Sequence, residues 1–347
     1  MTDQLSAIDT HAHIYPERYL DFLESLGVDP ATTRIARNMR QDDDPHSMAA
    51  RLSMMDTAGV TMQVISATPQ VPPIDDAANS ARAARMINTI YAQVQEKYPE
   101  RIRALGTLPL PFVDESLAEI AYIFDELHFP GVAMNTFVGA DGSLTAPGLR
   151  PIFDELNRRH AIVYIHPSGL SLGSHALAGS GLTWVNAAPM EDATALLQLM
   201  KAGYIDEFPD IHFHIAHLGG DVPFLAQRIQ DNFDDWNAFP HSPAQTLRKI
   251  WVDTANFHGP SLTMSLGVYN PEHVMMGSDY PYFQDELYTR AVTYIADALP
   301  DSASVPTSSS IVEKGTATRA GAPGTIPGAR AREAVLNANA RRLYGLN

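Results

Sequence analysis

Two histidines one residue apart, His11 and His13, lie in the apolar run Ala7-Ile8-Asp9-Thr10-His11-Ala12-His13-Ile14 near the start of the chain. On a strand, side chains alternate with a period of two, so both imidazoles point to one side and can converge on one ion. Three later stretches end apolar runs with groups of the same kind: Ile165-His166-Pro167, His217-Leu218-Gly219-Gly220 and Gly277-Ser278-Asp279-Tyr280-Pro281. A lone histidine at a strand end is more often a hydrogen-bonded structural residue than a ligand. Four of them with an aspartate, all on strand ends, reverse that reading. Three imidazoles and one carboxylate suit Zn²⁺ or a similar borderline ion, with a coordination position left for water or substrate. His11, His13, His166 and Asp279 are the expected ligand set. Strand parity agrees with it: Asp9, His11 and His13 share a side, as do Ile162, Tyr164 and His166, and Met275, Gly277 and Asp279. His212 and His214 fall on the opposite parity from His217 and are expected to pack between strand and helix layer.

These residues need a scaffold that gathers several strand ends. Besides the runs already named, Val60–Ala67, Ile102–Leu110, Gly131–Thr136 and Ile250–Ala255 read as buried strands. Helical stretches separate nearly all of them, including 47–58 stopped by Gly59, 76–97, 114–127, 149–160, 189–203 and 222–233. Strands alternating with helices imply right-handed crossovers and a parallel sheet. Eight such units over this length predict a closed (β/α)8 TIM barrel, an α/β fold whose active sites sit at the C-terminal ends of the strands. The acidic run Asp42-Asp43-Asp44 reads as a solvated turn. Residues 300–330, rich in Ser, Thr, Ala, Gly and Pro, read as a flexible insertion before a closing helix from Ala331 to Tyr344. With few apolar groups to bury, that stretch is not expected to be a second domain, so residues 1–347 are read as one barrel domain.

Composition bounds the rest. The formal charge of −16, from 24 Lys and Arg against 40 Asp and Glu, argues against nucleic-acid or anionic-membrane partners. A small anionic substrate remains compatible, because a metal and a few local cations set the field within a pocket. Cysteine is absent, which excludes thiolate ligands, disulfides and a cysteine nucleophile. No apolar run approaches membrane-spanning length, and the start of the chain shows no charged-then-apolar leader. The expectation is a soluble cytoplasmic enzyme.

Taken together, the motifs resemble the amidohydrolase superfamily, in the branch of 2-amino-3-carboxymuconate-6-semialdehyde decarboxylase and the related hydroxybenzoate and 6-methylsalicylate decarboxylases. Ile8-Asp9-Thr10-His11-Ala12-His13, Ile165-His166-Pro167, His217-Leu218-Gly219-Gly220, Gly277-Ser278-Asp279-Tyr280-Pro281 and Asn339-Ala340-Arg341-Arg342-Leu343-Tyr344-Gly345-Leu346 carry the resemblance, in order along nearly the whole chain. It implies a mononuclear metal on His11, His13, His166 and Asp279, with His217 as an unmetallated catalytic histidine. It also implies a homodimer: in the muconate-semialdehyde enzyme an arginine eleven residues after that histidine crosses the interface to the substrate carboxylate, and Arg228 matches it. Three features depart from the pattern. Many hydroxybenzoate decarboxylases have a glutamate where this chain has Gly220. Arg34, Arg37 and Arg40 lie where the muconate-semialdehyde enzyme carries a further substrate arginine, without a one-to-one match. Residues 300–330 have no counterpart. Asn135, rather than a lysine, ends the fourth strand, which argues against a carbamylated binuclear hydrolase.

The resulting expectation is non-oxidative decarboxylation of a small aromatic or unsaturated carboxylic acid by an enzyme holding one divalent metal ion, Zn²⁺ first and Mn²⁺ second. Asp279 would serve as ligand and proton shuttle, with His217 assisting it or orienting a water. The alternative is hydrolysis of a lactone, ester or C–C bond by the same residues. A barrel without activity, used only for binding, is disfavoured because all five site residues are present.

Overall fold

The computed structural model describes residues 6–71, 73–138, 142–314 and 324–346. Its barrel strands are β1 (Ala7–His13), β2 (Val60–Ser66), β3 (Ile102–Ala104, resuming at Gly106–Thr107), β4 (Gly131–Asn135), β5 (Ile162–His166), β6 (His212–Ile215), β7 (Trp251–Asp253) and β8 (Val274–Met275). Every neighbouring pair in the order β1 to β8 is parallel. The ring closes through the chain that follows β8. Thr10 N donates to Met276 O (2.9 Å), Asp279 N to His11 O (2.9 Å) and His13 N to Tyr280 O (2.7 Å). This is the expected (β/α)8 barrel, with strands that are near-continuous apolar runs because both faces are covered.

The inward faces stack Ile8, Val64, Leu105, Ala133, Ile162, Tyr164, Trp251 and Met275 into a packed interior, against which helix Asn339–Tyr344 sets Ala340 and Tyr344. The helices form the outer layer for identifiable reasons. Helix Pro45–Ala58 starts at Asp44, whose side chain accepts from His46 N and Ser47 N, and stops at Gly59 with φ +75°. Part of the acidic run is therefore a helix cap. Helix Ala77–Lys97 is capped by Asp76 and buries Ile87, Ile90, Tyr91 and Val94, one face of a 3.6-residue period. No helix among the described residues is long and apolar enough to cross a membrane.

Two sequence readings of strand direction need correction. Strand β1 shifts register between Asp9 and Ala12, so Asp9 does not share a side with His11 and His13. Its carboxylate meets Gln63 on β2 and the hydroxyl of Tyr288 on the outer helix Glu286–Ala298. His214 does not pack outward either: it lies fully buried, 4.6 Å from the inward Tyr164 ring. The β6 ladder ends at Ile215, and a left-handed turn at His217 (φ +52°) and Leu218 (φ +58°) breaks the parity on which the outward reading depended.

The segment read as a flexible insertion is, in its described part, seated on the barrel. Ser304–Pro306 pairs antiparallel with Thr325–Pro327. Val305 and Ile311 are buried in the main core, and Ser310 N donates to Gly267 O (2.7 Å). Composition concealed this because two apolar residues suffice as anchors. Residues 315–323, the middle of that stretch, lie outside the described residues. Val305→Asp should therefore destabilise the fold by about 3 kcal/mol, the burial lost plus a buried unpaired charge. Denaturant unfolding reads this directly, and an unchanged midpoint would show that the strand pair contributes nothing.

Candidate active site

The C-terminal ends of β1 and β5 and the turns after β6 and β8 bring His11, His13, His166, His217 and Asp279 together. The four imidazoles divide their nitrogens in the same way. On the outer side, His11 Nδ1 lies 3.1 Å from Asp253 Oδ2, and His13 Nδ1–H donates to Ser66 O (3.3 Å). His166 Nδ1–H donates to Pro167 O (2.9 Å), and His217 Nδ1–H to Asp192 Oδ2 (2.9 Å). On the inner side, the Nε2 atoms of His11 and His13 lie 3.2 and 3.3 Å from Asp279 Oδ1, and that of His217 lies 3.7 Å from Asp279 Oδ2. His166 Nε2 is buried with no hydrogen-bond partner, and the His11 contacts are close without being aligned as hydrogen bonds.

One donor atom each from His11, His166, His217 and Asp279 falls within 4.8 Å of the others. His13 borders this group, its ring 5.1 Å from His11 and 5.0 Å from His166. Nδ1 tied outward and Nε2 aimed at a common point is how metal-binding imidazoles are held by their outer partners. The donor set therefore fits a divalent ion.

The electrostatics agree. Burial lowers His13 to about 4 and, with the neighbouring imidazoles, holds His166 well below its usual value. Both are neutral at physiological pH, the form that ligates. Burial would also lower His11, but Asp253 and Asp279 overcome it and raise the group to about 9. For Asp279 burial opposes ionisation, yet the charge on His11 and the close inward nitrogens of His11, His13 and His217 keep it well below the carboxylate range. Asp253 is likewise held low, chiefly by His11, so two ionised, buried carboxylates call for positive charge among the rings, which a proton on His11 or a cation can supply. Burial likewise works against a charged His217, and Asp192 together with Asp279 more than offsets it.

Backbone detail explains the placement. His217 and Asp279 both adopt positive φ, +52° and +55°, a strained choice for non-glycine residues that recurs at functional sites. A Cβ on Gly277 would lie 2.9 Å from His11 Cβ and 2.8 Å from Asp253 Cβ, so the bare backbone there lets those two side chains pack. Asp9 fixes the turn that carries Asp279: Ser278 donates to it from Oγ (2.6 Å) and N (3.0 Å), and Gln63 Nε2 donates at 3.0 Å. Behind it the fully buried Arg51 donates to Gln63 Oε1 (2.9 Å) and His13 O (2.7 Å).

At the same end of the barrel lies a cavity of about 460 Å³, bordered by the strand-end residues Leu108, Asn135 and Ser168 and walled by Ile35, Ile74, Phe137, Leu170 and Trp184. Asp75 is the charged residue among its described lining. Asn135 donates to Pro69 O (3.1 Å). Arg228 is not brought to this site: it is exposed on helix Val222–Trp236. In the stretch after β1, Arg34 and Arg40 are exposed and Arg37 is bonded to Asp21 and Glu24.

Sequence reasoning missed Asp253 and Asp192. Asp253 ends β7 and touches His11, His214 (3.3 Å) and the His217 amide (3.2 Å), so the strand-end rule that found the histidines also applies to it. Asp192 lies on helix Ala188–Ala202, where no comparable rule marks it.

Fold and cluster together define a parallel barrel whose C-terminal mouth carries a set of side chains able to hold a metal ion. Residues 8–346 match the amidohydrolase family, and the chain belongs to it. It is 28% identical over 303 residues to the 2-amino-3-carboxymuconate-6-semialdehyde decarboxylase of Dictyostelium discoideum, covering 81% of this chain and 83% of the relative. To the 6-methylsalicylic acid decarboxylase acuB of Aspergillus aculeatus it is 29% identical over 322 residues, 86% of this chain and 92% of the relative. The crystal structure of a dihydroxybenzoic acid decarboxylase from Polaromonas sp. JS666, with bound manganese and the inhibitor 2-nitroresorcinol, superposes with a TM-score of 0.76. That match spans 99% of this chain and 98% of the other at 21% identity, a likeness of fold.

Proposed function

We propose that this chain is a metal-dependent, non-oxidative decarboxylase of a small aromatic or unsaturated carboxylic acid, of the hydroxybenzoate or 6-methylsalicylate type. The observation that carries the reading is the convergence of imidazole Nε2 atoms on Asp279 at the barrel mouth, with an apolar cavity at the same end of the barrel. The decarboxylase activities of the relatives support it. The chain acts as one barrel domain in the cytoplasm. His11, His13, His166 and Asp279 hold one divalent ion, Zn²⁺ first and Mn²⁺ second, and His217 stays free for proton transfer. When bound, the ion supplies positive charge for the substrate carboxylate and a neighbouring oxygen.

The chain's own groups do the rest. Phe137, Leu170 and Trp184 give the ring an apolar wall. The proton held by His217 passes, directly or through Asp279 Oδ2, to the ring carbon that bears the carboxylate. The C–C bond to the carboxylate then breaks, its electron pair returns to the ring, and CO₂ leaves. Solvent restores the proton to His217. Arg228, exposed with Phe224 one helical turn before it, reaches the substrate carboxylate of a neighbouring copy in a homodimer.

Metal-loaded protein incubated in D₂O with hydroxybenzoates and 6-methylsalicylate tests the reading. The expected result is CO₂ release with one deuterium on the carbon that carried the carboxylate. Lactone opening with ¹⁸O taken from H₂¹⁸O, and no CO₂ from any acid of the panel, would establish the hydrolase instead.

A further inference from the structure

Helix Ala188–Ala202 delivers two consecutive buried carboxylates in different directions. Glu191 ties down the loop after β5, accepting from Ser168 N (2.7 Å), Ser168 Oγ (2.6 Å) and Ser171 N (2.7 Å). Asp192 faces the other way, with no exposed surface, and places Oδ2 at 2.9 Å from His217 Nδ1. The turn that carries His217 cannot supply such a partner itself. A Cβ on Gly219 would lie 2.3 Å from Tyr269 Oη, and one on Gly220 2.0 Å from Pro189 O, so neither position has room for a side chain. The same near-contact shows the His217 turn lying directly against the start of the helix that bears Asp192. Tyr269 closes the other side by donating to Leu218 O (3.1 Å).

We propose that Asp192 is the positioning residue for His217, holding a proton on Nδ1 and turning Nε2 toward Asp279 and the substrate. A histidine can present only one nitrogen inward, and the partner of the other nitrogen decides which one and in which tautomer. Asp192 lies 25 residues before His217, so the chain reaches across two barrel segments to orient a group that its own glycine-rich turn leaves without support. The loop that borders the cavity at Ser168 and Leu170 hangs from Glu191, so one helix sets both the pocket wall and the imidazole.

The inference rests on His217 being the proton-transfer group, and its test therefore has an arm that needs no substrate. In the metal-loaded chain with ¹⁵N-labelled histidine, the His217 signals, assigned by their loss in His217→Ala, should show a protonated Nδ1. An unprotonated Nδ1 would overturn the proposal whatever the reaction proves to be. In the second arm, Asp192→Asn should keep its metal and its KM while kcat falls 10- to 100-fold, the scale of losing such an outer partner. In a His217→Ala background the same substitution should change nothing further. An equal loss in both backgrounds would mark Asp192 as merely structural, and an undiminished kcat in Asp192→Asn would remove it from the site.

Discussion

His11→Ala and His166→Ala proteins are expected to purify without stoichiometric divalent metal and without turnover. Each substitution removes an imidazole whose inward nitrogen has no aligned protein partner. For His11 the truncation also leaves the buried carboxylates of Asp253 and Asp279 without that imidazole. His13→Ala belongs in the same series, because it decides between two descriptions of the cluster. The donor atoms that fall within 4.8 Å of one another include His217 in place of His13, whereas the proposed ligand set takes His13 and leaves His217 free. Nε2 to carboxylate distances favour His13, at 3.3 Å against 3.7 Å. Elemental analysis of the three variants beside the parent reads the outcome. Loss of metal in all three is the expected pattern, and stoichiometric metal in any one removes that residue from the ligand set. Thermal unfolding of the parent should also show a higher midpoint with metal than after chelation, since an ion bound only by the folded state stabilises it.

The histidines were legible in the sequence because barrel strands are short apolar runs and polar residues at their C-terminal ends stand out. That reasoning found β1 and β5, and it found His217 and Asp279 by residue type although neither lies on a strand. Both sit in positive-φ turns just beyond the ladder, and alternation has no authority past the last paired residue. The same limit explains the two misread directions: a register shift inside β1 turns Asp9 outward, and the early end of β6 places His214 inward. Asp253 was within reach of the strand-end rule. Asp192 and Glu191 were not, because a buried acid on a helix shows itself only by the partner it meets, and those partners are distant in sequence. Arg228 marks the opposite limit: a resemblance can nominate a residue, but one chain leaves it on the surface, and only a second copy could carry it to a pocket.

His217→Ala should retain near-stoichiometric metal and lose turnover by about 10² to 10⁴, the contribution of a positioned acid–base group. The reasoning starts from its two neighbours. Nδ1 is occupied by Asp192 and Nε2 stands 3.7 Å from Asp279 Oδ2, facing that carboxylate but beyond hydrogen-bond distance and farther from it than His11 or His13. With its pKa well above the ordinary histidine value, the ring carries a proton at neutral pH and can deliver one where ring protonation limits the loss of CO₂. Removing it leaves His11, His13, His166 and Asp279 in place, so metal content separates this variant from the ligand substitutions. Asp279→Asn should behave differently, weakening metal binding and stopping turnover together, because that carboxylate meets three of the imidazoles. If the His217→Ala protein releases CO₂ and takes up deuterium at the parent rate, proton delivery must be assigned elsewhere, with the Tyr15–Tyr282 hydroxyl pair, 3.0 Å apart beside His13, as the next group to substitute.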